Sequence, residues 1–399
     1  MDILVINAGS SSLKYQLIDI ENEKLIAKGI VERIGIEGSN LQHTPADKDK
    51  IRVETPIKNH TEAIGAVIKA LTNKYHGVIS DMSDIEAVGH RVVHGGEKFS
   101  ESVLVTDEVE QAIMDNADLA PLHNPANLMG IKACKEMMPN KPQVAVFDTS
   151  FHQSMPPKAY LYGIPYYYYT EDKIRRYGFH GTSHRYIAKT AAKAMGKDVK
   201  ELKIISCHLG NGGSVAAIDS GKSVDTSMGM TPLEGLIMGT RCGDIDPSLI
   251  EYIMKRRSMT VEEVMNVLNK ESGLFGVSQI SADMRDIDDA REKGNKRAIE
   301  TYELYCYKIV KYIGAYVAAM NGVDCIVFTA GVGENNPQLR SDILAQFGYL
   351  GLKCDEDKNN QKKDVYEITT DSSKVKAFTI ATDEELMIAR DTYEIVKAH

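Results

Sequence analysis

No stretch of this 399-residue chain is apolar for longer than a β-strand; the longest largely apolar runs are the size of Ile3–Ile6 and Cys325–Ala330. A membrane-spanning helix needs about 20 such residues, so none is expected. The N-terminus, Met1-Asp2-Ile3-Leu4, lacks the basic region of a secretory signal, and a cytoplasmic location with no membrane partner is the expectation. Cysteine is sparse. The six residues at 134, 207, 242, 306, 325 and 354 form no Cys-x-x-Cys pair, which argues against a disulfide framework or a zinc site and for reduced, mostly buried thiols. Basic charge is short as well: 47 Lys and Arg against 56 Asp and Glu leave a net charge of −9. That disfavours a nucleic-acid partner, which calls for a basic face. It leaves an anionic nucleotide open, because local loops and a metal ion can reverse the local field. The spacing Gly-x-x-x-x-Gly-Lys-Ser/Thr is also missing, so no Walker loop is present.

What is present is an ordinary globular composition, 43% hydrophobic and 26% charged, on a chain long enough to divide into two domains. Ile3–Ile6 reads as a strand, followed by a small-residue turn and a second strand over 14–18. Residues 35–60 are polar and irregular, with Pro45 and Pro56, and read as loops between edge strands. Thr61 is placed to cap a helix carrying Ile64, Val67, Ile68 and Leu71 at helical spacing. Ile85–Val93 and Gln143–Phe147 read as strands, and Asn124-Pro125 as a cap followed by proline at the first helical position. A crossover is expected through Pro156, Pro157, Pro165 and Tyr166–Tyr169, then a helix from Thr182-Ser183 to about Gly196. The opening pattern then returns. Gly9 is followed ten positions on by Asp19; Gly210, after the apolar run at 204–207, is followed nine positions on by Asp219. The two segments align with one gap, which suggests two related α/β domains. A long amphipathic helix (297–320), a strand (325–329) and a final strand and helix (375–397) complete the second half.

Three loops suit a phosphate. In the first, Gly9 and Ser10–Ser12 offer N–H groups and hydroxyls, and Lys14 a mobile point charge. The second, His208-Leu209-Gly210-Asn211-Gly212-Gly213-Ser214, has three glycines in four positions, which suits a turn with positive φ and a close anion. The third, Ala330-Gly331-Val332-Gly333-Glu334-Asn335, follows a buried strand but lacks the third glycine of the dinucleotide fingerprint. Each alone could be structural. Three in one chain, all directly after strands, point to one nucleotide bridging two domains.

Charged residues at strand ends add chemistry. Arg91, in Gly89–Gly96, could take a planar carboxylate bidentately or make a structural ion pair. Asp148 ends a buried strand, where it could be metal-linked or cap a turn. His180, just before a helix, could donate to a phosphoryl oxygen, while His184 reads as structural. Arg241 lies in a small-residue loop, Gly239–Asp244. Two arginines facing a phosphoryl group would offset the charge of its three oxygens. Asp383-Glu384-Glu385 opens the last helix, as a favourable acidic first turn or as a magnesium ligand.

At these residues the chain resembles the acetate kinase family. The matching segments are Asn7–Lys14, Gly89–Gly96, Phe147–Asp148 with Phe151–Gln153, Tyr177–His184, His208–Ser214, Thr226–Gly235, Gly239–Asp244, Gly331–Asn335 and Thr382–Glu385. They run from one end of the chain to the other in the family's order. The one mild departure is Gly213, where relatives often carry alanine or serine. The resemblance implies an α/β fold of duplicated ribonuclease H-like (actin-like ATPase) domains around a nucleotide cleft. Residues 1–150 with 383–399 would form the acetate and phosphate side, and residues 151–382 the nucleotide side. It implies a homodimer and magnesium-dependent, reversible transfer between ATP and acetate, with manganese able to replace magnesium. Asn7 and Glu384 would be magnesium-site residues and Lys14 a phosphate contact. The nucleotide site would comprise His208, Leu209, Gly210, Asn211 and Gly212, then Asp283, Met284 and Arg285, then Gly331, Val332, Gly333, Glu334 and Asn335. Arg91 would hold the carboxylate, His180 and Arg241 would stabilise the transferring phosphoryl, and Asp148 would be catalytic. Val93, Leu122, Phe179 and Pro232 would form the pocket for the acetate methyl.

Acetate is already ionised near neutral pH, so no base is required; Asp148 is expected to orient magnesium and arginine groups during direct in-line transfer. The nearest alternatives are a propionate or butyrate kinase and, from another class, an actin-like filament former or chaperone ATPase. Val93 favours the shorter acid, although one methylene discriminates by only ~1–3 kcal/mol. A filament former has no use for a carboxylate-binding arginine beside an apolar pocket.

Overall fold

The computed structural model describes all 399 residues, which fall into two compact units: Met1–Gln153 with Asp383–His399, and Ser154–Thr382. The first unit is built on an eight-stranded sheet. Its strands are β1 (Asp2–Ala8), β2 (Ser12–Asp19), β3 (Lys24–Glu32), β4 (Asn40–Pro45), β5 (Ile51–Glu54), β6 (Ile85–Val92), β7 (Val103–Leu104) and β8 (Gln143–Phe147). Their order is β5-β4-β3-β2-β1-β6-β8-β7. The second unit has six strands: β9 (Lys203–Leu209), β10 (Gly213–Asp219), β11 (Lys222–Thr226), β12 (Cys325–Thr329), β13 (Val365–Glu367) and β14 (Lys376–Ile380). These lie in the order β11-β10-β9-β12-β14-β13.

Laid side by side, β3-β2-β1-β6-β8-β7 and β11-β10-β9-β12-β14-β13 are one pattern. Both open with two antiparallel pairings, continue with two parallel ones and end on an antiparallel edge strand. The repeat extends to register: Asp2 pairs with Asp19, and Lys203 with Asp219. The fold is a duplicated ribonuclease H-like α/β architecture, with β4 and β5 as an addition to the first copy. The segment read as irregular loops over 35–60 therefore carries two strands. They are short; β4 alternates in burial but on Leu41, His43 and Pro45, and β5 is largely exposed, so no apolar alternation marks them.

Alternation does mark β1, and it divides the first unit's packing. Leu4, Ile6 and Ala8 point into a core shared with Ile64, Val67 and Cys134, against the helices His60–Leu71 and Asn124–Met137. On the opposite face Val5 meets Ile388, on the helix Glu384–Ala398. That helix sits close because β6 carries Gly89; a Cβ there would lie 2.5 Å from Thr392 Oγ1. In the second unit the helix Lys296–Ala319 presents Tyr302, Tyr305, Ile309 and Ile313 to Ile205, Cys207, Val215 and Ala217 of β9 and β10.

Two caps differ from the sequence reading. Asn59, not Thr61, caps the first helix by accepting from the Glu62 N–H at 2.9 Å, while Thr61 donates to Glu136 Oε2. Asn124 does not cap at all. Its buried amide is spent on the backbone of His94 and the carbonyl of Ile113. Of the six cysteines, four are buried, two are partly buried, and all are free.

Burial also sets an acid limit on the fold. His90 lies within β6, hydrogen-bonded to Gln143 Oε1 at 2.7 Å, and burial pushes its pKa down to about 4. A depressed histidine pKa contributes stability that is full above the unfolded value of about 6.5 and is lost as pH falls toward 4. We expect this residue alone to cost about 2 kcal/mol between pH 7 and pH 5. Urea unfolding of the parent and of His90→Asn at both pH values checks it, since equal losses would remove His90 as the cause.

Candidate active site

In the first unit, three strand ends converge. Asn7 is the last residue but one of β1, Arg91 lies near the end of β6, and Asp148 follows β8 directly. The carboxyl ends of parallel strands are where open α/β sheets collect ligand-binding groups. Arg91 forks onto Asp148, with Nε donating to Oδ1 at 3.2 Å and Nη2 to Oδ2 at 2.6 Å. Its Nη1 donates to Asn7 Oδ1 at 3.4 Å. The Asp148 side chain is only 2% exposed, and that of Arg91 25%. The ion pair, one of the two readings the sequence left open for Arg91, is formed.

Glu384 joins this group from the first turn of the last helix, which Asp383 caps by accepting from the Leu386 N–H. Its Oε2 lies 4.0 Å from Arg91 Nε. Burial raises the Glu384 carboxyl to about 7; Arg91 works against this, and Asp148 and Glu385 add to it. Lys14, opposite Asn7 in the β1–β2 register, lines the same hollow as Asn7, Arg91 and Glu384. Asn7, Asp148 and Glu384 offer hard oxygen donors of the kind magnesium takes. A buried carboxyl pushed toward neutrality is one that a cation would return to its ionised form. The residues fit a magnesium ion. Sequence reading missed Asn127, which accepts from the Val93 N–H and donates to the Ala8 carbonyl, locking the ends of β6 and β1 together.

The second unit holds a cavity of about 900 Å³, a size that takes a drug-sized ligand. It is lined by Gly210, Asn211, Asp283, Met284, Arg285, Gly331, Val332 and Asn335, all expected at a nucleotide. Other expected residues lie behind it. Leu209 is in the core, His208 bonds to Ser183, and Gly333 is buried with its carbonyl on Arg340. The Glu334 carboxylate turns back to accept from the N–H groups of Ala330 at 2.8 Å and Thr382 at 3.3 Å. Leu274, Ser281, Ala282, Asp288 and Asn336 also line the cavity and were missed. Asn336 carried a legible signal, since Asn336-Pro337 is a cap followed by proline and Asn336 Oδ1 accepts from the Leu339 N–H.

None of Gly210, Gly212 and Gly213 takes a positive φ, contrary to the sequence reading; in the neighbouring loops Ala330 (+63°) and His180 (+57°) do. At Gly212 the need is for room: a Cβ would lie 3.0 Å from Arg241 Nη2 and 3.7 Å from the His180 ring. Gly212 does not line the cavity but brings its backbone against Arg241 and His180. His180 stacks on His208 at 4.1 Å, and its Nδ1 hydrogen-bonds with Ser214 Oγ, which also meets His184 Nε2. Arg241 has no carboxylate partner. Its Nη1 donates to the Pro232 carbonyl at 2.7 Å, and burial lowers its pKa. Of the four residues expected around a methyl group, Val93 is buried and Leu122 is 73% exposed in the first unit. Phe179 is buried and Pro232 half-buried in the second.

The sequence model of the Acetokinase family matches residues 2–390. The acetate kinase of Halothermothrix orenii is 58% identical over 398 residues, which cover 100% of both chains. Among solved structures, Porphyromonas gingivalis acetate kinase aligns with a TM-score of 0.96 at 44% identity, covering 99% of each chain. A propionate kinase from Francisella tularensis aligns at 0.91 and 39% identity, also over 99% of each. Fold, site and likeness define the class: an ATP-using kinase of the actin-like ATPase fold, a phosphotransferase with a carboxyl group as acceptor. The chain belongs to the acetokinase family.

Proposed function

We propose that the enzyme catalyses reversible transfer of the γ-phosphoryl group of ATP to acetate, giving ADP and acetyl phosphate. The first unit supplies the acceptor side and the second the nucleotide side. The observation that carries this reading is the cluster of Asn7, Arg91, Asp148 and Glu384 at the strand ends of the first sheet. A carboxylate oxygen attacks the γ-phosphorus in line, and the bond to the β–γ bridging oxygen breaks with its electrons passing to ADP. The acceptor is already ionised near neutral pH, so no proton moves.

Arg91 orients the acceptor carboxylate, and Asp148, spent on Arg91, acts by aiming it. His180 and Arg241 face the charge of the transferring group, and Lys14 contacts a phosphate. Asn7 and Glu384, with Asp148 beside them, would hold magnesium, which when bound neutralises phosphate charge. Manganese would substitute. Val93, Leu122, Phe179 and Pro232 are assigned to the acceptor's methyl group. The 900 Å³ cavity supports seating the nucleotide along Gly210–Asn211, Asp283–Arg285 and Gly331–Asn335. The working form is taken as a cytoplasmic homodimer. No helix is long and apolar enough to cross a membrane.

Trapping with hydroxylamine tests the reaction. Purified enzyme with ATP, magnesium and acetate is expected to yield acetyl hydroxamate, with less product per unit time from propionate and less again from butyrate. No hydroxamate from acetate sinks the proposal. Faster turnover of propionate would move the acceptor to the longer acid, the reaction of the Francisella relative's name.

A further inference from the structure

The segment Thr226–Gly235 is long and distinctive, yet only Pro232 within it has been given a role. Its anchoring explains the rest. Arg176 Nη1 donates to three successive carbonyls, Thr226 at 2.9 Å, Ser227 at 3.1 Å and Met228 at 3.2 Å. Its Nη2 donates to Glu234 Oε1 at 2.6 Å. Tyr162 donates its hydroxyl to Glu234 Oε2 at 2.5 Å and accepts from the Met230 N–H at 2.9 Å. Both ends of the loop are thus tied to one ion pair, and Gly229 gives it room: a Cβ there would lie 1.8 Å from Glu234 Oε2.

The clamped loop touches the chemistry at two points. The Pro232 carbonyl takes the single hydrogen bond of the Arg241 side chain. The Gly229 carbonyl accepts from the N–H groups of Tyr177 and Gly178, three and two residues before His180. We infer that Arg176, Glu234 and Tyr162 are positioning residues that aim Arg241, through the Pro232 carbonyl, at the transferring phosphoryl group. This rests on the role given to Arg241 above. A side chain with one hydrogen bond and no carboxylate partner is held only as firmly as its acceptor. Small errors in the placement of a charge that acts on a transition state are expensive in rate.

The test is a cycle of variants read by hydroxamate formation. Glu234→Gln keeps the shape and weakens the clamp; kcat is expected to fall roughly 10- to 50-fold with KM for ATP and acetate changed by less than about threefold. Tyr162→Phe, which removes two hydrogen bonds and spares the ion pair, is expected to lose about threefold to tenfold. In an Arg241→Ala background both losses are expected to shrink below about twofold, because there is no guanidinium left to aim. Undiminished losses in that background, or a rise in the KM for ATP with kcat unchanged, would overturn the inference. Near-parental kcat in Arg241→Ala alone would instead overturn the role of Arg241, and so separate the two failures.

Discussion

Arg91→Ala is expected to lower kcat/KM for the carboxylate by about 10²–10³-fold, mostly as a higher acetate KM, with the KM for ATP little changed. Nε and one Nη2 N–H are spent on Asp148, and an Nη1 and the other Nη2 N–H remain to offer the acceptor carboxylate two donors in a plane. Arg91→Lys keeps the charge and loses the fork, so an intermediate loss is expected. The same substitution should weaken the fold. Asp148 is only 2% exposed, and Arg91 is the one cation paired with it and Glu384. Removing it leaves the buried Asp148 and the partly buried Glu384 without that counter-charge, at a cost of about 2–4 kcal/mol. Initial-rate kinetics with each substrate varied, and urea unfolding at pH 7, check both halves. An unchanged acetate KM would take Arg91 out of the acceptor site. Unchanged stability would show that the acids find another counter-charge when the arginine is lost.

Much of this site could be read from short stretches of sequence, because the physics is local. Small residues after an apolar run mark a turn; those at 9–11 and 210–212 link paired strands as that rule expects, whereas 330–335 forms a short helix directly after β12. The apolar composition of Gln143–Phe147 likewise placed Asp148 at a strand end. The repeat was visible as two matching segments, and the shared six-strand order gives it substance. What the sequence could not show are relations between distant residues. Arg176 meets Glu234 across 58 positions, and Asn127 meets Ala8 across 119. Side-chain direction was equally hidden. Glu334 sits in a nucleotide loop by sequence, yet its carboxylate is consumed by the backbone of Ala330 and Thr382. Gly212 was read for positive φ and turns out to supply space, which the position of Arg241 explains.

Arg241→Ala is expected to show the reverse balance: a loss of about 10³-fold in kcat with modest changes in either KM, and no loss of stability. The two arginines differ in their counter-charges. Arg91 is held by acids that raise its pKa, whereas Arg241 meets no carboxylate and burial alone lowers its pKa. In the resting enzyme this guanidinium is partly desolvated, with one backbone carbonyl and no carboxylate to offset that cost. It gains a partner only when anionic oxygens arrive, so its interaction is strongest where charge on the phosphoryl group is greatest. Such a group costs the fold and serves the reaction, the usual trade at an active site. Removing it frees the Pro232 carbonyl and relieves a buried charge, so the urea midpoint of Arg241→Ala should match or exceed the parent's. Steady-state kinetics and unfolding of the same preparation decide it. A midpoint as depressed as that of Arg91→Ala would mean Arg241 is a structural anchor, and a kcat within tenfold of the parent would mean the phosphoryl charge is met elsewhere.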